Sequence, residues 1–231
     1  MSVLDAFEGE MLPDPLPAEP FTLFRAWFDE AQAAKQQPNP NAMTLATVDA
    51  DGKPSARIVL CKGIEQEPGC IVFYSNYESR KGRALEVNPQ AALIFHWDHT
   101  DRQVRIEGPV ERTTAGESDA YFKSRRWESR IGAWASQQSR PVDSRERLLE
   151  QVSEKVLELD LDLMKLADGK GDELDIPRPA HWGGYRLFAE RVELWAGGTG
   201  RVHDRAAWTR KREVKAGAAA WGDWSATRLQ P

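Results

Sequence analysis

Apolar positions along the chain recur at two periods, and the switches between them set the predicted elements. Over Phe21–Ala34, Phe24, Trp27, Phe28 and Ala31 return at helical spacing behind Pro20, which predicts an amphipathic helix. The loop QQPNPN (36–41) ends it. Met43–Asp49 alternates weakly as a strand, DADG (49–52) reads as a hairpin turn, and Arg57–Lys62 returns as the next strand. Its apolar run, Ile58, Val59, Leu60 and Cys61 between two cations, suits a strand buried on both faces. Cys70–Ser75 is another apolar strand, leading into Asn76–Tyr77–Glu78–Ser79, a turn able to cap a helix.

Further along, Ala84–Asn88 is a short helix stopped by Pro89. Ala91–Trp97 is a strand with Gln103–Arg112 as its partner, and Val104, Ile106 and Val110 of the latter alternate with Arg105 and Glu107. Gly108–Pro109 suggests a bulge or an edge. Helices are expected over Ala115–Arg125, over Ser129–Gln137 and from Ser144 to about Leu166, followed by a polar loop at Asp168–Pro179. Trp182–Trp195 reads as a strand pair, Gly197–Gly200 as a loop, and Ala206–Arg212 and Trp224–Leu229 as closing strands. The acidic, Pro-rich residues 1–20 read as a flexible arm and 21–231 as a single domain. Short hairpin strands interrupted by helices point to a mainly β core with helical decoration, either α+β or a barrel. A doubly wound parallel fold fits less well, because no Gly-rich dinucleotide fingerprint follows the first strand.

Composition narrows the chemistry. The 231 residues carry a net charge of −5, which argues against a general nucleic-acid binder. Two cysteines, Cys61 and Cys70, are too few for a disulfide framework and read as core residues of a reducing compartment. No apolar run approaches the roughly 20 residues that span a bilayer, and the N-terminus lacks the basic start and apolar centre of a signal peptide. A cytoplasmic protein with no membrane partner is the expectation.

Three stretches could bind an anion. Arg80, Lys81 and Arg83 fall in the first turn of a helix, where the dipole disfavours cations. They make sense if a phosphate docks on the Ser79 cap and the free N–H groups; a solvated basic turn is the alternative. In RVHDR, Arg201, His203 and Arg205 share one face if the segment is extended, and either an anion or nearby acids such as Asp204 would balance them. Tyr121 and Arg125 are helical neighbours, with Ser129 one turn further if the helix continues, a phosphate clamp or a routine helix surface. The four histidines show no metal-ligand spacing, and neither a nucleophile elbow nor a phosphate loop occurs.

Taken in order, NAMTLATVD (41–49), SARIVLCK (55–62), FYSNYESRKGR (73–83), RQVRIEG (102–108), SDAYFKSR (118–125), IGAWASQQS (131–139), PRPAHWGGYRL (177–187), RVHDR and the terminal RLQP resemble the pyridoxine/pyridoxamine 5′-phosphate oxidase family, over nearly the whole chain. The resemblance implies an FMN-binding split β-barrel homodimer that oxidises pyridoxine 5′-phosphate and pyridoxamine 5′-phosphate to pyridoxal 5′-phosphate. A hydride passes to the flavin, and dioxygen is reduced to hydrogen peroxide. It matches Arg57, Ile58, Val59, Leu60, Cys61, Lys62, Tyr74, Ser75, Arg80, Lys81, Gln103, Gln138, Ser139, Trp195 and Arg205 to FMN-contacting positions. Lys62, Tyr121, Arg125 and Ser129 match positions that hold the substrate, and Arg201 and His203 match the reacting end, where they are expected to orient the substrate and assist proton removal.

The chain departs from the family pattern in places. Where Arg-Pro-Arg-x-Ser-Gln is usual it has Arg125-Arg126-Trp127-Glu128-Ser129-Arg130, so Pro is lost, Trp gained and Gln replaced by Arg. Ala196 stands for a common Gln, Ser75 for a common Thr, and the N-terminal arm lacks the Arg-x-x-Tyr element of some members. The changed segment motivates a rival reading, a related flavin oxidase acting on another anionic ring compound of the phenazine-pathway type. A flavin- or pyridoxal-phosphate-binding protein without turnover is the third.

Overall fold

The computed structural model describes residues 9, 11–215 and 218–231. The chain is mainly β with helices, as its pattern predicts, and it divides into two compact units. The first comprises 1–73, 88–111 and 186–231; the second comprises 74–87 and 112–185.

In the first unit, helix α1 spans Phe21–Ala34, the predicted range, and buries Phe21, Phe24, Trp27, Phe28 and Ala31. Its rings meet those of strand β5 (Gln90–Trp97): Phe24 lies 5.2 Å from Phe95 and Phe28 6.3 Å from Trp97, centroid to centroid. Each such ring buried contributes roughly 1.5–3 kcal/mol. Strand β1 (Ala42–Val48) pairs antiparallel with β2 (Pro54–Leu60) through the predicted turn, Thr44 facing Ile58. On its other side β1 pairs with β5, which pairs with β6 (Arg102–Arg112). Then β6 pairs with β8 (Arg191–Ala196), β8 with β9 (Asp204–Thr209), and β9 with β12 (Ser225–Leu229), every ladder antiparallel. Strand β3 (Gly63–Glu65) makes a hairpin with β4 (Cys70–Asn76), which also pairs with β7 (Trp182–Phe188). A short hairpin, β10 (Arg212–Lys215) with β11 (Ala218–Trp221), completes the strands among the described residues.

One expectation is corrected here. Strand β2 is not buried on both faces: it alternates, and Ile58 is 64% exposed. Among the described residues it is the terminal strand of its ladder. Gly108 and Pro109 lie within β6, where Pro109 pairs with Gln90 on the β5 side and the ladder to β8 runs only as far as Glu107. The flexible arm falls partly on residues 1–8 and 10, which lie outside the described residues. Of the rest, Leu12 is buried, its N–H donates to Asp204 Oδ2 at 2.8 Å, and Trp208 Nε1 donates to Pro17 O at 2.8 Å.

In the second unit, α2 (Arg80–Val87) already includes the basic turn. Helix α3 (Ala115–Lys123) starts from a reciprocal Thr114–Glu117 capping box and ends at Ser124, and α4 (Trp127–Ala135) starts afresh. The long helix expected from Ser144 to Leu166 is two: α5 (Arg145–Glu158), capped by Ser144, and α6 (Leu163–Ala167), capped by Asp162. Asp160 at φ 48° breaks the run between them. No helix among the described residues is long and apolar enough to cross a membrane.

Candidate functional site

The expected site residues fall into two groups, one in each unit. In the second, Ser79 is fully buried at the head of α2 and its Oγ accepts from the Gly82 N–H at 3.2 Å, so the cap forms as the sequence suggests. The first turn of α2 has no acid. Lys81 is only 9% exposed; its Nζ donates to Ser79 Oγ at 3.0 Å and to Gln138 Oε1 at 2.7 Å. Arg80 and Arg83 are exposed beside it, and Arg83 donates to the Glu78 carbonyl. Ser75 is buried at the end of β4, whereas Gln138 and Ser139 lie exposed in the loop after α4, Ser139 at φ 71°. Thus Lys81 and Gln138 are brought together from distant parts of the sequence.

The same unit stacks three aromatic rings. Tyr74 and Tyr121 lie 3.9 Å apart at 20°, and the Trp182 ring lies 5.6 Å from Tyr74 at 13°. Gly184 leaves room for this stack, since a Cβ there would stand 2.8 Å from the Tyr74 ring, and Gly183 leaves room for Tyr77, whose hydroxyl oxygen would lie 2.0 Å from a Cβ at that position. Arg125 sits at the edge of the stack, its guanidinium carbon 4.5 Å from the Trp182 centroid. Its Nη1 is buried with no hydrogen-bond partner among the described residues. Burial holds its pKa below the ordinary arginine value, against a raising contribution from Tyr121. Ser129 is not one turn along the same helix, as the spacing suggested. The break at Ser124 places it in α4, exposed, so the clamp does not form from one helix face. A cavity of about 490 Å³ in this unit is lined by Asn76, Trp134, Gln137, Arg147, Glu154 and His181, none of them an expected site residue.

In the first unit, Arg57 donates from Nη1 to Thr47 Oγ1 at 2.8 Å and to Leu45 O at 3.1 Å, a cross-strand tie fixed by the β1–β2 register. Ile58 and Leu60 are exposed, Val59 is half-buried and Cys61 is buried, while Lys62 is exposed with its N–H on Val72 O. Burial pushes the Cys61 thiol up to about 11 and the Cys70 thiol up to about 12. Gln103 faces Trp195 across β6 and β8, and Trp195 faces Arg205 across β8 and β9. The Trp195 and His203 rings are 4.6 Å apart, and His203 Nδ1 accepts from the Gly198 N–H at 3.1 Å.

RVHDR is not extended as expected. Arg201 closes a tight 3₁₀ turn (Thr199–Arg201) at φ 64°, so Arg201, His203 and Arg205 do not share one strand face. Nor does Arg205 pair with Asp204. Its Nη2 donates to Glu193 Oε1 at 2.7 Å and its Nη1 to Gln230 O at 3.0 Å. Glu193 was missed by sequence reasoning. It is 3% exposed and also meets Arg191 at 3.3 Å and Arg105 at 3.5 Å. Trp182 was missed too, although the apolar Trp before a Gly pair was a signal for a close-packed ring. No cluster of three or more potential metal ligands occurs among the described residues.

Comparison with known proteins agrees in kind. Residues 29–160 match the family described as pyridoxamine 5′-phosphate oxidase, and residues 182–231 match the pyridoxine 5′-phosphate oxidase C-terminal dimerisation region. A pyridoxine/pyridoxamine 5′-phosphate oxidase of Burkholderia cenocepacia is 50% identical over 97% of this chain and 92% of its own length. One of Cupriavidus necator is 49% identical over the same shares. Among solved structures, PhzG from Burkholderia lata, in complex with tetrahydrophenazine-1-carboxylic acid, is 30% identical with a TM-score of 0.78, covering 94% of this chain and 95% of its own. An FMN-binding protein of Nostoc punctiforme, 15% identical with a TM-score of 0.66 over 92% of this chain and 98% of its own, shares the fold. With its mainly β split-barrel architecture and family matches at both ends, the chain belongs to the pyridoxamine 5′-phosphate oxidase family.

Proposed function

We propose that this protein is an FMN-dependent oxidase that converts pyridoxine 5′-phosphate and pyridoxamine 5′-phosphate to pyridoxal 5′-phosphate. The observation that carries the substrate class is Arg125: a guanidinium over Trp182, beside the Tyr74–Tyr121 stack, with a buried N–H unspent. Aromatic rings and one fixed cation suit a flat ring bearing a phosphate. Half-identity over nearly the full length with oxidases of that name supports the same reading.

The residues also fit FMN. A helix start with Arg80, Lys81 and Arg83, a Ser cap and no acid in the first turn suits a phosphate monoester. Lys81 Nζ is held at the head of α2 by Ser79 Oγ and Gln138 Oε1, which fixes an ammonium beside that helix start. Arg57, Lys62, Tyr74, Ser75, Gln103, Ser139, Trp195 and Arg205, with the backbone of Ile58, Val59, Leu60 and Cys61, are the further FMN contacts that the family resemblance assigns. Bound FMN supplies a two-electron acceptor that dioxygen regenerates with release of hydrogen peroxide. The chain supplies placement. Arg125 and Tyr121 hold the substrate phosphate, with Lys62 and Ser129 assigned to the same task, and remote binding energy there orients the reacting carbon. Arg201 and His203 are assigned to orient the substrate's exocyclic carbon and assist its proton removal; with Nδ1 accepting from the Gly198 N–H, neutral His203 presents its Nε2–H as a hydrogen-bond donor to the substrate. The dimerisation-region match and the exposed Ile58 on a terminal strand support a homodimer.

A second reading follows from the likeness to PhzG: oxidation of another anionic ring compound. A peroxide assay of the FMN-loaded protein over a panel of phosphorylated pyridines and carboxylated ring compounds separates the two. Turnover confined to the phosphorylated pyridines is expected; turnover confined to the carboxylated compounds would replace the first reading by the second. Absence of peroxide with every compound, FMN remaining bound, would favour a binding protein.

A further inference from the structure

Arg130 stands where the family pattern usually has Gln, and it is 2% exposed. Its Nη1 donates to Leu174 O at 2.9 Å, and its Nη2 to Asp172 O at 3.1 Å and Gly171 O at 3.5 Å. Trp127, the other new side chain, grips the same segment. Its ring would stand 2.5 Å from a Cβ on Gly171, and the Trp127 backbone N–H donates to Asp172 Oδ1 at 2.7 Å. The altered stretch therefore clamps residues 171–174 onto α4.

The clamp leaves charge unspent. Backbone carbonyls satisfy N–H groups but do not cancel a positive charge, and the Asp172 carboxylate is 3.8 Å away and 63% exposed. Arg130 Nε has no hydrogen-bond partner among the described residues, and neither has Arg125 Nη1. The Arg125 guanidinium lies over the Phe122 and Trp182 rings, which pack in one buried cluster with Leu174, whose carbonyl Arg130 meets; Arg130 also adds to burial in lowering the Arg125 pKa. Two like charges, each with a buried N–H unspent, are costly together unless an anion neutralises them.

We infer that Arg130 is a second determinant of phosphate selectivity, a positioning residue that locks α4 to the 171–174 segment and sets a fixed second positive charge beside Arg125. This rests on the reading that Arg125 holds the substrate phosphate. A Gln at this position offers one neutral amide NH2 in place of a guanidinium, so the charge is what Arg130 adds for a dianionic ligand.

The test titrates the FMN-loaded protein with pyridoxal 5′-phosphate and with pyridoxal, following tryptophan fluorescence, and takes the ratio of the two dissociation constants as the phosphate preference. Arg130→Gln should lower that preference about tenfold, the scale of one charge interaction inside a protein, with pyridoxal binding unchanged. Arg130→Lys keeps the charge but loses the three-carbonyl grip and should lose about threefold; it carries the test if Arg130→Gln does not fold. Arg125→Met reports on the underlying reading. If it abolishes the preference while both Arg130 variants keep the wild-type value, the inference is overturned and the substrate reading stands. If Arg125→Met also keeps the wild-type preference, both fall. A purely structural role for Arg130 would weaken both ligands equally, which likewise overturns the inference.

Discussion

Lys81 Nζ lies 2.7 Å from Gln138 Oε1, joining the first turn of α2 to the loop after α4 across 57 positions of sequence. On the reading that this ammonium meets the flavin phosphate, Lys81→Met should weaken FMN binding by about 10- to 100-fold, the worth of a charge-assisted hydrogen bond. Gln138→Ala removes only the orienting partner and should cost about tenfold or less. Quenching of FMN fluorescence on titration with apoprotein measures both. Equal affinity of the Lys81 variant and wild type would place the flavin phosphate elsewhere.

Arg125 should act on substrate affinity more than on turnover, because it meets a part of the substrate that does not react. Arg125→Met is expected to raise KM for pyridoxine 5′-phosphate by about 10- to 100-fold while kcat falls much less. Steady-state peroxide production gives the two constants separately. A fall in kcat with KM unchanged would assign Arg125 to the chemical step instead.

Glu193 is the hub of a buried charge cluster, with Arg205 at 2.7 Å, Arg191 at 3.3 Å and Arg105 at 3.5 Å. Removing this acid leaves Arg205 and Arg191 without their buried carboxylate partner, while Arg105 keeps Glu107 at 2.8 Å, so Glu193→Gln should destabilise the fold by about 3 kcal/mol. Urea unfolding followed by tryptophan fluorescence checks this. Because Arg205 loses its anchor, FMN affinity of the folded variant should drop as well.

The two thiols give an alkaline dependence. Burial is the largest cause that raises Cys61 to about 11 and Cys70 to about 12. Folding therefore favours the neutral thiols. That contribution is intact below the unfolded value near pH 8.5–9 and is lost as pH rises toward 11–12, at up to about 1.4 kcal/mol per thiol per pH unit. Unfolding free energy measured at pH 8 and pH 10.5 should fall more steeply for wild type than for Cys61→Ala. Native protein at pH 8 should also resist iodoacetamide, whereas urea-unfolded protein should react at both thiols.

Gly183→Ala would set a methyl 2.0 Å from the Tyr77 hydroxyl oxygen and 2.9 Å from Ser118 Oγ. Tyr77 would have to move, and a loss of about 1–3 kcal/mol is expected from the overpacking. Thermal unfolding of the variant measures it; an unchanged midpoint would show that the site has room.

Much of this was legible in the sequence because it is local. Phe21–Ala34 folds as its spacing predicts, since five apolar residues on one stripe leave no other packing. The Asp49–Gly52 turn and the Ser79 cap also came from neighbouring residues. What was misread depends on distant partners or single backbone angles. Strand β2 reads as buried because Ile58–Cys61 is apolar, but what lies against a face is not written in the strand itself. RVHDR reads as alternating until Arg201 turns at φ 64° behind Gly200. The division of the helix at Asp160 had a usable sign in Asp162, a good N-cap residue that was passed over. Glu193 gains meaning only once β6, β8 and β9 are in register, which places Arg105 and Arg205 on either side of it.

The central claim is that this chain moves a hydride from a phosphorylated pyridine to FMN. The most direct measurement is anaerobic: load the protein with FMN, add pyridoxine 5′-phosphate, and follow the visible flavin absorbance. Bleaching that air reverses, with pyridoxal 5′-phosphate formed, is the predicted result. A flavin that stays oxidised with pyridoxine 5′-phosphate and pyridoxamine 5′-phosphate, yet bleaches with a carboxylated ring compound, would contradict the claim.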